Sequence, residues 1–131
     1  LFLPYFSFPI TQNRSMVFEL TGLFISLSGC LLASWAKVVM GQSWGGSAQH
    51  DKKLQSSLVT TGPFAYSRNP IYVGLFLLFL GQQIALHSYL IFLAFIFIFA
   101  IKKAVATEEV LLSKYFGNTY TDYQTRVHRF L

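Results

Sequence analysis

The chain has 131 residues, of which 53% are hydrophobic and only 11% charged, against roughly 25% charged in an ordinary soluble domain. Such a composition supplies too few charges for a soluble surface and excludes a disordered or low-complexity chain, while the single cysteine excludes an internal disulfide framework and a multi-cysteine zinc site. The net charge of +5 does not point to nucleic acid, because the basic residues flank apolar runs instead of forming one patch, and they suit anionic headgroups of a bilayer.

The chain starts at Leu1, and residues 1–10 lack the basic start and the small-residue cleavage site of a signal peptide. A single membrane domain over residues 1–131, incomplete at its N-terminus, is therefore expected. From Leu20 to Ala36 no residue is charged, and the run 16–40 is long enough for one tilted span. Gly22, Ser26, Gly29 and Ala33 recur three or four apart. Such a stripe lets another helix approach closely, although a plain lipid-facing helix would read the same way. Cys30 is a small apolar filler.

Between Arg68 and Lys102 lie 33 positions without a full charge, more than the roughly 20 of one span and fewer than two full spans need. The polar break from Gly81-Gln82-Gln83 to His87-Ser88 predicts a hairpin of two short helices, 71–86 and 89–101, the second continuing past the membrane, with His87 solvated or interfacial at the turn. In that layout Lys37, Lys52, Lys53, Arg68, Lys102, Lys103, Lys114, Arg126 and Arg129 share one face and only Arg14 takes the other. The positive-inside rule makes the crowded face cytoplasmic, so the loop 41–69 and the tail 102–131 are expected there. Within the tail, 104–116 reads as helix, Gly117 as its C-cap, and Thr119-x-x-Asp122 as a capping box for a last short helix. The fold class is all-α: an integral membrane bundle with a helical hairpin and a cytoplasmic helical tail.

Three clusters could carry chemistry. Gly62-Pro63 breaks the chain, Asn69 reads as an N-cap and Pro70 suits the first turn, so Arg68 and Asn69 sit at a helix start on the membrane surface. An Arg that only snorkels to phosphates would look alike. Glu108 and Glu109 follow the hairpin, and adjacent helical residues point about 100° apart. One can face the bundle and bind a cation while the other faces water, or both can pair with Lys102, Lys103 and Lys114. Tyr120, Tyr123 and Arg126, spaced by three, share one side of a helix. They and Trp35, Trp44, Tyr66 and Tyr72 read either as an interfacial belt or as the lining of a cation pocket. The chain has no phosphate-cradling loop, no G-x-S-x-G, and no His pair at metal-ligand spacing among His50, His87 and His128; no metal is expected.

Leu58-Val59-Thr60-Thr61-Gly62-Pro63-Phe64, then Arg68-Asn69-Pro70-Ile71-Tyr72-Val73-Gly74, a hydrophobic hairpin, Glu108-Glu109, and Phe116-Gly117-x-x-Tyr120-x-x-Tyr123-x-x-Arg126-Val127 together resemble the isoprenylcysteine carboxyl methyltransferase family and, more broadly, the phospholipid methyltransferases. The resemblance spans roughly residues 35–129. Membrane sterol reductases, which use a reduced nicotinamide cofactor, carry a similar Arg-x-Pro-x-Tyr-x-Gly block; the Glu-Glu pair favours the methyltransferases over such a reductase or a non-enzymatic membrane module. The resemblance implies S-adenosylmethionine as methyl donor and a lipophilic or small-molecule acceptor (a prenylcysteine carboxylate, a phospholipid amine or a thiol). It further implies that Tyr66, Asn69, Pro70, Tyr72 and Gly74 help form the cofactor pocket, that Glu109 or Glu108 holds the cofactor's amino end, that Tyr120 and Tyr123 close it, and that Arg68 orients an anionic acceptor. The family's usual His between the Arg and the Pro is Asn69 here, which cannot shuttle a proton near neutral pH.

Overall fold

The structure, a computed structural model, describes residues 15–41 and 58–131. Arg14, Trp44, His50, Lys52 and Lys53, and with them most of the expected loop, lie outside the described residues. The described residues form helices α1 (Met16–Met40), α2 (Pro70–Ala85), α3 (Leu93–Phe116) and α4 (Asn118–Arg126), with 3₁₀ turns at Gly62–Ala65 and Tyr89–Phe92. Among them there is no strand.

The stripe on α1 packs against α2. A methyl group built on Gly29 would stand 2.5 Å from the Gly74 carbonyl oxygen and from the Leu78 nitrogen; one on Gly81 would stand 2.5 Å from the Gly22 carbonyl oxygen. Gly22 thus faces Gly81 and Gly29 faces Gly74, so the helices run antiparallel with their backbones in contact. Only glycine permits that approach, and in hydrocarbon close packing of small residues replaces the hydrophobic drive.

The hairpin forms as expected, with adjusted boundaries. α2 starts one residue earlier, on Pro70 at its first position, and ends at Ala85. The chain reverses at His87, whose φ is 49°. Its ring lies edge-on to Phe18 with both ring nitrogens shielded from water; of the two positions expected for it, solvated or interfacial, the structure speaks against the solvated one. Ser88 caps the following turn by accepting from the Leu90 N–H at 3.1 Å. From Leu93 one helix of 24 residues runs unbroken to Phe116, about 36 Å long at 1.5 Å per residue, joining the second arm of the hairpin to the first tail helix. Phe97 on α3 packs against Phe76 and Phe79 of α2.

Two helical stretches, Met16–Met40 and Tyr89–Phe116, are long and apolar enough to cross a membrane, and their most apolar windows are only 11% and 17% buried inside the fold. Core helices of a soluble protein would be mostly covered. Phe24, Leu27 and Leu31 on α1 and Phe95, Ile96 and Phe99 on α3 are all more than half exposed, which suits contact with acyl chains.

α3 ends at Gly117, which turns with φ 59° and returns its N–H to the Ser113 carbonyl at 3.0 Å. The expected capping box is corrected here: α4 starts at Asn118, and the Gly117 carbonyl accepts from the Tyr120 and Thr121 N–H groups at 3.2 Å. The glycine makes the corner by conformation alone, which leaves Thr119 inside the helix.

Candidate functional site

The N-terminus of α2 is assembled from both sides. The turn Gly62–Ala65 packs on the end of α1, with Gly62 against Val39. Ser67, buried, takes the Asn69 N–H on its hydroxyl at 3.2 Å. Asn69 occupies the N-cap position, but its side chain makes no cap hydrogen bond; its Nδ2 instead donates to the Arg129 carbonyl at 2.9 Å. The Arg68 N–H donates to the His128 carbonyl at 2.9 Å. Residues 127–129 are therefore laid back along the loop that starts α2.

This return brings three charges together. Glu109, 6% exposed, accepts from Arg129 Nη2 on Oε2 at 2.8 Å and forms an ion pair with Arg68 Nη1, 3.2 Å from Oε1, without a hydrogen bond to that oxygen. Glu108 points away, as the 100° offset requires, and accepts from the Tyr72 hydroxyl at 3.2 Å. The two carboxylates thus divide the work: Glu109 binds the Arg68 loop and the C-terminal segment to α3, and Glu108 ties α3 to α2. Buried charges persist only with such partners.

Tyr120 and Tyr123 lie beneath this cluster, 1% and 2% exposed. The Tyr123 hydroxyl donates to the Phe64 carbonyl, fixing α4 to the 3₁₀ turn. Burial, reinforced by Glu109 and opposed by Arg68, pushes the Tyr120 phenol up to about 12. Burial and the neighbouring Tyr120 push Tyr123 up as well. Both phenols therefore stay neutral at physiological pH and cannot serve as bases there.

One cavity is walled by the cluster, and a second lies beside Tyr72. An open groove of about 550 Å³ is lined by Ala106, Glu109, Val110, Ser113, Lys114, Gln124 and Arg129, a volume in the roughly 300–1,000 Å³ range of small-molecule sites. A smaller apolar cavity of about 140 Å³ lies between α2 and α3, where Tyr72, Phe76, Ile98, Ile101 and Phe130 meet. Among the described residues no three His, Cys, Asp or Glu side chains gather as a metal site.

Of the residues that the resemblance assigned, the structure brings Arg68, Asn69, Glu109, Tyr120 and Tyr123 into one cluster, with Tyr72 and Glu108 beside it. Three stand differently. Gly74 lies in the α1–α2 seam, where a Cβ would meet the Gly29 carbonyl at 2.6 Å and the Ala33 nitrogen at 2.7 Å, so its smallness serves helix packing. Pro70 is fully buried as the first residue of α2. Tyr66 is 74% exposed. Arg126, expected to share a side with the tyrosines, is exposed and turns its Nε to the Asp122 carbonyl. Sequence reasoning missed Arg129 as a partner of Glu109, and Ser67 as the loop's internal acceptor. No local spacing signals Arg129, because its pairing spans 20 residues and depends on the tail folding back.

The family model for phospholipid methyltransferases matches residues 16–119. Among curated proteins, the chain is 32% identical over 128 residues to a protein-S-isoprenylcysteine O-methyltransferase of Schizosaccharomyces pombe, covering 96% of this chain and 51% of that protein. It is 33% identical over 108 residues to the Tribolium castaneum protein of the same name, covering 81% and 38%, and 27% identical over 130 residues to that of Saccharomyces cerevisiae, covering 92% and 54%. The chain thus spans about half, or less, of the length of these relatives.

Proposed function

The chain belongs to the phospholipid methyltransferase family, and from that premise we propose that it forms the catalytic part of an S-adenosylmethionine-dependent membrane methyltransferase acting on an ionised oxygen of a lipophilic acceptor. The observation that carries this reading is the buried Glu109 carboxylate, held between Arg68 and Arg129 at the wall of an open groove. The two apolar helices, Met16–Met40 and Tyr89–Phe116, and the family support an integral membrane location. The excess of Lys and Arg on one side of the layout supports a cytoplasmic position for loop 41–69 and the C-terminal tail.

The donor set suits the proposed cofactor. Glu109 offers an anion for an ammonium group; Lys114 offers a cation for a carboxylate; Ser113 and Gln124 offer hydrogen bonds. The buried Nε of Arg68 has no partner and is available to an acceptor oxygen. When bound, S-adenosylmethionine supplies an electrophilic methyl group on a sulfonium sulfur. The residues of this chain would then bind, align and exclude water. Gly74, Pro70 and Tyr66 have packing or surface positions and are left out of the contact set; Tyr120 and Tyr123 support it from below, and Asn69 holds the C-terminal segment in place.

Among the described residues of the cluster, four bear on the acceptor class. Glu109 is committed to two guanidiniums, Tyr120 and Tyr123 are held neutral, and Asn69 does not titrate, so none is suited to take a proton from an amine or a thiol. An acceptor that arrives already ionised, a carboxylate, needs no base. That choice agrees with the O-methyltransferase names of the relatives, and the apolar cavity beside Tyr72 offers room for part of a lipid chain entering from the bilayer. Equilibrium binding of S-adenosylmethionine to the detergent-solubilised chain tests the reading, with a reduced nicotinamide cofactor as competitor. Saturable binding that the nicotinamide cannot displace, and that Glu109→Gln abolishes, is expected. Binding that survives Glu109→Gln undiminished would remove the site assignment.

A further inference from the structure

The two guanidiniums on Glu109 differ in standing. The Arg68 side chain is 11% exposed and sits 3.2 Å from Oε1. The Arg129 side chain is 48% exposed and sits 2.8 Å from Oε2. The backbone beneath Arg129 is anchored without help from that side chain, through Asn69 Nδ2 on the Arg129 carbonyl and the Arg68 N–H on the His128 carbonyl, both at 2.9 Å. The Arg129 side chain can therefore swing out while the segment that carries it stays docked. Glu109 and Arg129 both line the open groove, and Arg68 does not. Anything that enters the groove and seeks the carboxylate meets Arg129 first.

We propose that Arg129 is the resident counter-ion of Glu109 and is exchanged for the ammonium group of the methyl donor when the donor binds. The proposal rests on the methyltransferase reading above. Its physical basis is charge exclusion. Arg68 and Arg129 already leave the cluster with one positive charge in excess, and the groove adds Lys114. A further cation at Oε2 is accommodated in this partly desolvated place only if Arg129 vacates it, since like charges a few ångströms apart repel strongly where water is scarce. The half-exposed guanidinium leaves at small cost because water receives it, whereas Arg68 would be stranded. Donor affinity is thus set by a competition within the protein, in which Arg129 opposes any ligand that carries an ammonium group.

The experiment compares two ligands on the full chain in detergent: S-adenosylmethionine, which carries the ammonium, and 5′-methylthioadenosine, which shares the nucleoside and sulfur but has no amino-acid end. Removing an ion pair of this exposure allows a gain of up to about fivefold. Arg129→Gln is expected to tighten S-adenosylmethionine about threefold and to leave 5′-methylthioadenosine unchanged, while Arg129→Lys, which keeps a cation, stays near the wild-type value. In the wild-type chain, S-adenosylmethionine and not 5′-methylthioadenosine should raise the reactivity of Arg129 toward an arginine-directed reagent. Unchanged or weaker S-adenosylmethionine binding in Arg129→Gln, equal tightening of both ligands, or no rise in Arg129 reactivity would overturn the exchange while leaving the methyltransferase reading intact. A folded wild-type chain that binds no S-adenosylmethionine would overturn both.

Discussion

Replacing Glu109 by glutamine keeps the shape of the side chain and removes its charge. The consequence differs for its two partners. Arg68, 11% exposed, would keep a full charge in a dry place with its Nε already unpartnered; stranding such a charge costs about 3–5 kcal/mol. Arg129, 48% exposed, would turn to water, and the loss of its pair costs only about 0–1 kcal/mol. Glu109→Gln should therefore destabilise the fold by about 3 kcal/mol, with the stranding of Arg68 as the main term. Arg129→Gln should cost no more than about 1 kcal/mol, because Glu109 keeps Arg68. Combining Glu109→Gln with Arg68→Gln should cost less than the sum of the two single changes, since the second substitution removes the stranded charge. Denaturant titration in micelles, followed by helical circular dichroism, measures all four variants. Equal destabilisation by Glu109→Gln and Arg129→Gln, or strict additivity of the double variant, would refute the burial argument.

Gly74→Ala should destabilise the α1–α2 pair by about 1–3 kcal/mol, as overpacking does, because its new methyl would meet the Gly29 carbonyl at 2.6 Å; thermal unfolding in detergent would show it, and a variant of normal stability with weakened cofactor binding would return Gly74 to the pocket. Asn69→Ala removes the 2.9 Å bond to the Arg129 carbonyl and should cost about 1 kcal/mol; amide exchange at residues 127–131 should accelerate, and unaltered exchange would count against the clamp. Tyr123→Phe leaves the buried Phe64 carbonyl without the phenol that donates to it, for a loss of about 1–3 kcal/mol, and it should expose the Gly62–Ala65 turn to proteolysis; resistance equal to wild type would contradict this. The phenol of Tyr120, raised by burial to about 12 from an ordinary 10, binds its proton more tightly folded than unfolded. Its contribution to stability is therefore complete below pH 10 and is lost as pH rises through about 12. Alkaline unfolding curves of wild type and Tyr120→Phe should diverge across that interval, and coincident curves would remove the inference.

What could be read from the chain alone rests on local physics. The uncharged runs Leu20 to Ala36 and Asn69 to Ile101 identify membrane helices because the bilayer excludes charge along its whole thickness. The break at Gly81 to Ser88 predicts the hairpin because 33 uncharged positions exceed one span, and folding them at that break gathers the basic residues on one face. Pro70 at a first helical turn and Gly117 at a helix end follow from what each backbone permits, and the offset of Glu108 from Glu109 follows from helical geometry. Where local signals competed, they misled: the Thr119–Asp122 pair matched a capping box, yet the glycine corner at Gly117 had already started the helix. Asn69 had the residue type of an N-cap, yet a carbonyl 60 residues away took its amide.

The sequence by itself determined the helices, the membrane setting and the three groups of candidate residues, since each depends on contiguous residues and their solvent. Only the tertiary structure decided which residues share the cluster around Glu109. It set Gly74 into a backbone contact with Gly29, chose Glu109 over Glu108 for the cluster, and recruited Arg129. The physical reason is common to all three: a buried carboxylate needs cations from wherever the fold can bring them, and the closest approach of two helices needs glycine on both. The first requirement leaves no trace in local spacing, and the small-residue stripe on α1 marks a face open to close approach without naming the helix that meets it, because each partner lies far away in the chain.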